Sequence, residues 1–324
     1  MEKELLDFKK FSERMIRQLN DIKNQESKTI KIDIQEEIKK SSKKHHFIPR
    51  YYINGFADSE NELFIYDKQK DIIRNKKSGS SGIFFEENRN SIDLGDNVYI
   101  SLFEEVYCFF DNNLKHLIKL LRSGVEKIDE KTSNEIIAYM NIFVLDLYLR
   151  NKNNDNLFDE IFHESEINFV NESLNEHRKE IKEMPGFKQL FRTKLFTSYI
   201  EEFFKMDPNK ITKIQLINFE MDQICIGDMP LIFFNNHGQP YDLFNSPLIL
   251  PISKSKLYLR DVSRKKSFYY EDTSIFNALI IDRSSKLIGC SNKKTLQDAI
   301  KTYKFLKEQK LEKMMELNLF FDFN

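Results

Sequence analysis

Tryptophan is absent from the 324 residues, glycine occurs only 9 times and cysteine only 3 times. So few glycines leave little material for loops that cradle phosphates, and no dinucleotide or phosphate-binding fingerprint occurs. Cys108, Cys225 and Cys290 are widely spaced, odd in number and set in apolar stretches. They are expected to be reduced core thiols in a reducing compartment, not a disulfide framework or a zinc site. No apolar run reaches the roughly 18–20 residues of a membrane span, and the first thirty residues lack the apolar core of a secretion signal. The chain is therefore expected to be cytoplasmic, with no membrane partner. A dominant charge is missing too: 50 Lys plus Arg face 51 Asp plus Glu. Any basic surface must be local.

What is present is a 40% apolar content with 29 phenylalanines, enough for a large aromatic-packed core. Leu5, Phe8, Phe11, Met15, Leu19 and Ile22 recur at helical spacing among charged residues, and Ile30, Ile32 and Ile34 alternate as in a strand. A polar linker, Ser41 to Lys44, follows. Leu63 to Tyr66 and the residues around Ile72 suit a hairpin, and Ser78-Gly79-Ser80-Ser81-Gly82 reads as a mobile loop. Apolar stripes over 98–117 and 136–147 predict two helices, and two more are expected over 156–182 and 187–206, separated by Pro185-Gly186. Short apolar runs between 211 and 259 read as antiparallel strands. A final helix from Lys293 to Met315, capped by Ser291 or Asn292, precedes an apolar tail, Leu319 to Phe323, expected to tuck into a groove.

The fold class expected is α+β: a central helical block with a mostly antiparallel sheet, flanked by N- and C-terminal amphipathic helices. Residues 1–42 form the N-terminal helix, strand and linker. Residues 43–324 form one domain with a helical block (94–206), a β-rich part (210–290) and the C-terminal helix.

The strongest local signal is His45-His46-Phe47-Ile48-Pro49-Arg50. Pro49 biases Ile48 toward extended backbone and opens a short helix through Tyr52 and Phe56. Neighbours on an extended segment point to opposite faces, so one histidine is expected to face a site and the other to hold the segment. Imidazole serves proton transfer or metal ligation near neutral pH, and either role needs a carboxylate nearby. Glu104, Cys108 and Asp111 share one helix face, where the two acids are either solvated or line a cleft as metal ligands. Arg150 continues the apolar stripe of Met140, Phe143 and Leu147, so it should be buried against a carboxylate of the 98–121 helix or Asp228, or bind an anion. Asp228, before Pro230, is either a turn-forming acceptor or a rim carboxylate. His116, His163, His177 and His237 lie in charged or loop surroundings and are expected at the surface.

The box His45 to Ala57 resembles the opening of an uncharacterised bacterial domain family marked by His-His-(aromatic)-(Val/Ile)-Pro. Further landmarks are similar in order: an acidic helix (Leu102 to Leu121), a helix ending in Arg (Phe143 to Arg150), Asp228-Met229-Pro230 and Pro251-Ile252-Ser253. The resemblance covers about residues 43–290. It implies no settled activity, and it associates the family with mobile and defence-type genes. Where a second Glu is expected on the acidic helix, this chain has Asp111.

Two functional expectations follow. The first is a phosphodiester-cleaving enzyme, a nuclease serving as a defence or toxin effector, with His45 or His46 as general base or metal ligand. In it Arg50 and Arg150 hold phosphate, and Asp228 with Glu104 or Asp111 orients the histidine or binds a divalent ion, magnesium or manganese, with Glu104 and Asp111 as the candidate metal ligands. Nucleic acid would be its partner. The alternative is a non-catalytic sensor or adaptor that acts through protein–protein contact, with the N-terminal helix recruiting a partner or a second copy.

Overall fold

The computed structural model describes residues 43–93, 99–100, 102–124, 130–165, 172–184, 186–205, 214–234, 243–244, 246–262 and 270–321, with scattered positions between 3 and 14. Those scattered positions, Lys3, Leu6, Asp7, Lys9, Lys10, Glu13 and Arg14, are helical. The stripe of Leu5, Phe8, Phe11, Met15, Leu19 and Ile22, the expected strand at 30–34 and His237 lie outside the described residues.

Strand β1 (Lys44–His46) ends just before Pro49, which stands at the cap of helix α1 (Arg50–Ile53); a 3₁₀ turn carries the chain to Phe56. A proline is tolerated at a helix start because its missing N–H would have no partner there. Strand β2 (Glu62–Asp67) pairs antiparallel with β3 (Ile72–Ile73) and with β4 (Ser78–Gly79). The segment expected to be a mobile loop is thus a strand followed by a 3₁₀ turn over Ser80–Gly82. Ser80 is buried, and its carbonyl meets the His46 ring. Strand β5 (Phe85–Glu87) returns along β1 with His45 opposite Glu86 and His46 opposite Phe85. Strands β6 (Ile92–Asp93) and β7 (Tyr99–Ile100) form a separate antiparallel pair.

The helical block consists of α2 (Leu102–Ser123), α3 (Glu130–Arg150), α4 (Asp155–Glu164), α5 (Arg178–Lys182) and α6 (Phe187–Lys205). Leu114, Leu117, Ile118 and Leu121 of α2 and Met140, Phe143, Val144 and Leu147 of α3 are fully buried, as their spacing predicts. The single helix expected over 156–182 is instead broken. Lys182 Nζ donates to the carbonyls of Phe162, His163 and Ser165, so α5 folds back to cap the end of α4. Gly186, at φ +80°, adopts the left-handed backbone that separates α5 from α6.

Beyond the block, β8 (Ile214–Asn218), β9 (Ile226–Gly227), β10 (Ile232–Phe233), β11 (Leu248–Ser253) and β12 (Lys256–Arg260) lead into helix α7 (Tyr270–Arg283) and strand β13 (Leu287–Cys290). One sheet has the order β10-β11-β12-β8; another runs β3-β2-β13-β9, with β4 attached to β2. Helix α7 interrupts the stretch expected to be β-rich. Ala278, Leu279, Ile280 and Ile281 are consecutive and buried, so no amphipathic period distinguishes it from a buried strand. The C-terminal helix divides into α8 (Lys293–Gln309), capped by Asn292, and α9 (Glu312–Phe320), because Lys310 is left-handed at φ 55°. Leu319 and Phe320 are fully buried.

The β3-β2-β13-β9 sheet lies between two apolar clusters. Leu63, Ile65 and Ile226 face the main core, whereas Tyr66, Ile288, Cys290 and Cys225 face a smaller cluster completed by Leu296 and Ala299 of α8. Cys108, contrary to its expected place in the core, is exposed, because it lies off the apolar stripe of α2. No helix among the described residues is long and apolar enough to cross a membrane.

Candidate functional site

The β1–β5 pairing turns the two histidines to opposite sides. His45 is fully buried, and its Nδ1 accepts the Asn90 backbone N–H at 2.9 Å. Asn90 Nδ2 donates to Glu104 Oε2 at 2.6 Å, and that same carboxylate oxygen stands 3.9 Å from His45 Nδ1. His46 is half-buried, and its Nε2 donates to the Ser80 carbonyl at 3.1 Å, which leaves the lone pair on Nδ1. Burial lowers its pKa to about 4, assisted by the charges of Arg50, Arg150 and Lys44 and opposed by the Ser80 hydrogen bond. The imidazole is therefore neutral at pH 7.

Arg150 is 1% exposed at the end of α3. Its guanidinium grips Asp111 with both terminal nitrogens, at 2.8 and 3.3 Å, lies 4.7 Å over the Tyr107 ring, and stands 3.7 Å from Asp146 one turn earlier. Burial disfavours its charge, but Asp111, Asp146 and Glu104 outweigh that effect and raise its pKa. The expectation that Arg150 is buried against a carboxylate of the acidic helix matches this geometry. Asp111 is thereby turned toward a guanidinium, and Glu104 toward Asn90 and His45. No group of three His, Cys, Asp or Glu side chains among the described residues is arranged to hold a metal ion.

Asp146, not among the residues expected at the site, carries the same signal as Arg150: a charge inside the apolar run Val144 to Leu147. It is wholly buried, and burial pushes its pKa up to about 7, with Arg150 pulling it down and Asp111 and Glu104 reinforcing the rise. Neither of its carboxylate oxygens has a hydrogen-bond partner among the described residues, nor do the buried Tyr51 hydroxyl and Arg150 Nε.

A second network borders the first. Arg89 clamps Asp155 through two hydrogen bonds of 2.8 and 2.6 Å, donates to Glu86 and reaches the Arg150 carbonyl; Arg192 also donates to Asp155, and Lys152 pairs with Glu86. Arg122 braces α1 from below by donating to the carbonyls of Tyr51, Tyr52 and Ile252. A side chain at Gly55 would collide with that guanidinium, which is why the box needs glycine there.

Glu104 thus stands beside His45, and Asp111 pairs with Arg150, whereas His46 lies on the other side of β1, where the charges of Arg150 and the exposed Arg50 reach it. Asp228 does not join them. Its carboxylate accepts the backbone N–H groups of Ser285, Lys286 and Leu287, the Ser285 hydroxyl and the Asn153 amide, fixing the turn before β13. An open groove of about 310 Å³ between β2, β3 and α8, lined by Tyr66, Asp71, Ile73, Gln297, Ile300, Lys301 and Lys304, shares no residue with the histidine cluster. The cluster, with its perturbed and unpartnered groups, is the stronger candidate. His163 and His177 are exposed as expected, whereas His116 is half-buried.

Residues 44–294 match a family described as a protein of unknown function, DUF4238, and the chain belongs to that family. The match begins within β1, at the histidine box, and spans nearly the same residues as the resemblance read from the sequence. No curated protein and no solved structure matches the chain.

Proposed function

We propose that this member of an uncharacterised family is a phosphodiester-cleaving enzyme, a nuclease of the cytoplasm, with a role in defence or as a toxin. The observation that carries the reading is His46: a neutral imidazole with its lone pair on Nδ1, held by Ser80 and flanked by the exposed Arg50. In this reading His46 is the general base and Arg50 binds a phosphate oxygen. Bound phosphate, being anionic, offsets the cations that depress the His46 pKa and brings it closer to the range where a base works best. His45, Asn90 and Glu104 hold β1 in place, while Arg150 with Asp111 sets the local field.

The test is His46→Gln, which retains a donor for the Ser80 carbonyl but removes the titratable lone pair. Hydrolysis of single- and double-stranded DNA and RNA is measured with and without magnesium or manganese. Loss of cleavage by roughly 10²–10⁴-fold at unchanged melting temperature is expected. Silence of the well-folded wild type on every substrate would remove the reading. A second reading, a sensor or adaptor, is favoured by one observation: Arg122, Arg150 and Asp228 are all engaged by the protein's own groups. It requires that neither protein cleaves any substrate.

A further inference from the structure

Cys225 and Cys290 take no part in the cluster above. Strands β9 and β13 run antiparallel, with Ile288 opposite Gly227 and Gly289 opposite Ile226; one step further the same register sets Cys290 opposite Cys225. Residues directly opposite in such a ladder share a face, and their Cα atoms stand about 4.5–5.5 Å apart, inside the span a disulfide bridges. Both side chains are fully buried in the small cluster with Tyr66, Ile288 and, from α8, Leu296 and Ala299. The neighbouring Cys290 thiol, together with burial, raises the Cys225 pKa well above its ordinary value. The Cys225 backbone is pinned as well, its N–H donating to Asn277 Oδ1 at 2.9 Å.

We infer that Cys225 and Cys290 form a cross-strand dithiol that closes to a disulfide when a peroxide oxidises it. One thiolate attacks the peroxide, whose O–O bond breaks to give a sulfenic acid and one water; the second thiol then displaces that oxygen as another water and forms the S–S bond. Two protons and two electrons leave the protein in total. Contact with Cys290 and burial hold the Cys225 thiol protonated, so closure is slow and follows opening of α8, not the ambient oxidant alone. The bond would tie β9 to β13 at Cys225 and Cys290, at the other end of the pairing from the Asp228 turn, and close the loop between residues 225 and 290.

The experiment uses the full chain with the exposed Cys108 replaced, C108S, treated with hydrogen peroxide in urea below the unfolding transition. The mass should fall by about 2 Da as two hydrogens leave. A non-reducing digest should contain one linked peptide pair, 225 with 290, and the melting temperature should rise by several degrees and return after reduction. Adding C225S or C290S should abolish all three changes. Free thiols after the same exposure, sulfinic acid at either position, links between separate chains, or a linked protein that melts no higher than the reduced one would overturn the inference.

Discussion

Asp228 and Asp146 are both buried, at 3% and 0% exposure, yet their surroundings differ completely. Asp228 is saturated by three backbone N–H groups, a hydroxyl and an amide. Asp146 receives no hydrogen bond from the described residues, and its nearest cation, Arg150, stands 3.7 Å away, beyond hydrogen-bond reach. A carboxylate surrounded by donors has its desolvation compensated and behaves as scaffold. One buried without donors, beside two further acids, favours its protonated form near neutral pH, the condition found most often where a protein does chemistry. The contrast divides the molecule into a finished junction at Asp228 and an electrostatically unbalanced cluster around Arg150.

The largest effect should come from Asp228→Ala. It leaves three N–H groups before β13 without their acceptor, and urea denaturation should show a loss of about 3–5 kcal/mol. A loss below about 1 kcal/mol would show that the junction is not a scaffold. Arg150→Met, which leaves Asp111 and the buried Asp146 uncompensated, should cost roughly 3 kcal/mol. Arg150→Lys should recover only part of that, because an ammonium cannot reproduce the two-pronged grip on Asp111.

Asp146→Asn sharpens the contrast, since here removing a buried charge should stabilise. The folded-state pKa of Asp146, about 7, lies above the ordinary carboxylate value. The folded protein therefore binds the extra proton between about pH 4 and 7, and this contribution to stability is present at low pH and lost as pH rises through 7. At pH 8 the asparagine variant should be more stable than wild type by on the order of 1–3 kcal/mol, the difference shrinking steadily as pH falls toward 4. His46 acts in the opposite sense. Its folded pKa, about 4, lies below the ordinary 6.5, so its contribution is present above pH 6.5 and lost as pH falls toward 4. Melting temperatures across pH 4–8 for Asp146→Asn and His46→Gln should separate the two opposing slopes. Arg50→Ala should have the smallest effect on stability, within about 0.5 kcal/mol for an exposed side chain. It should still raise KM for a cleaved nucleic acid, and an unchanged KM would remove Arg50 from the phosphate role.

Much of this was legible locally. The Pro49 helix start, the β2–β3 hairpin, the stripes of α2 and α3 and the burial of Arg150 all follow from signals carried by residues within a few positions of one another. Asp146 could have been found by the same reasoning that singled out Arg150. Helix α7 could not, because its buried run lacks a period.

The sequence by itself determined which segments are helical or extended wherever apolar residues recur at a clear spacing, and it marked the histidine box and Arg150 as out of the ordinary. Only the tertiary structure decided what those residues meet. Asp111 reaches Arg150 across 39 positions, β2 pairs with β13 from the far end of the chain, and Arg122 sets the need for glycine at position 55. Backbone periodicity is governed by neighbours one turn or one pleat away. The pairing of buried charges is governed by which elements pack together, and that depends on the shape of the whole core.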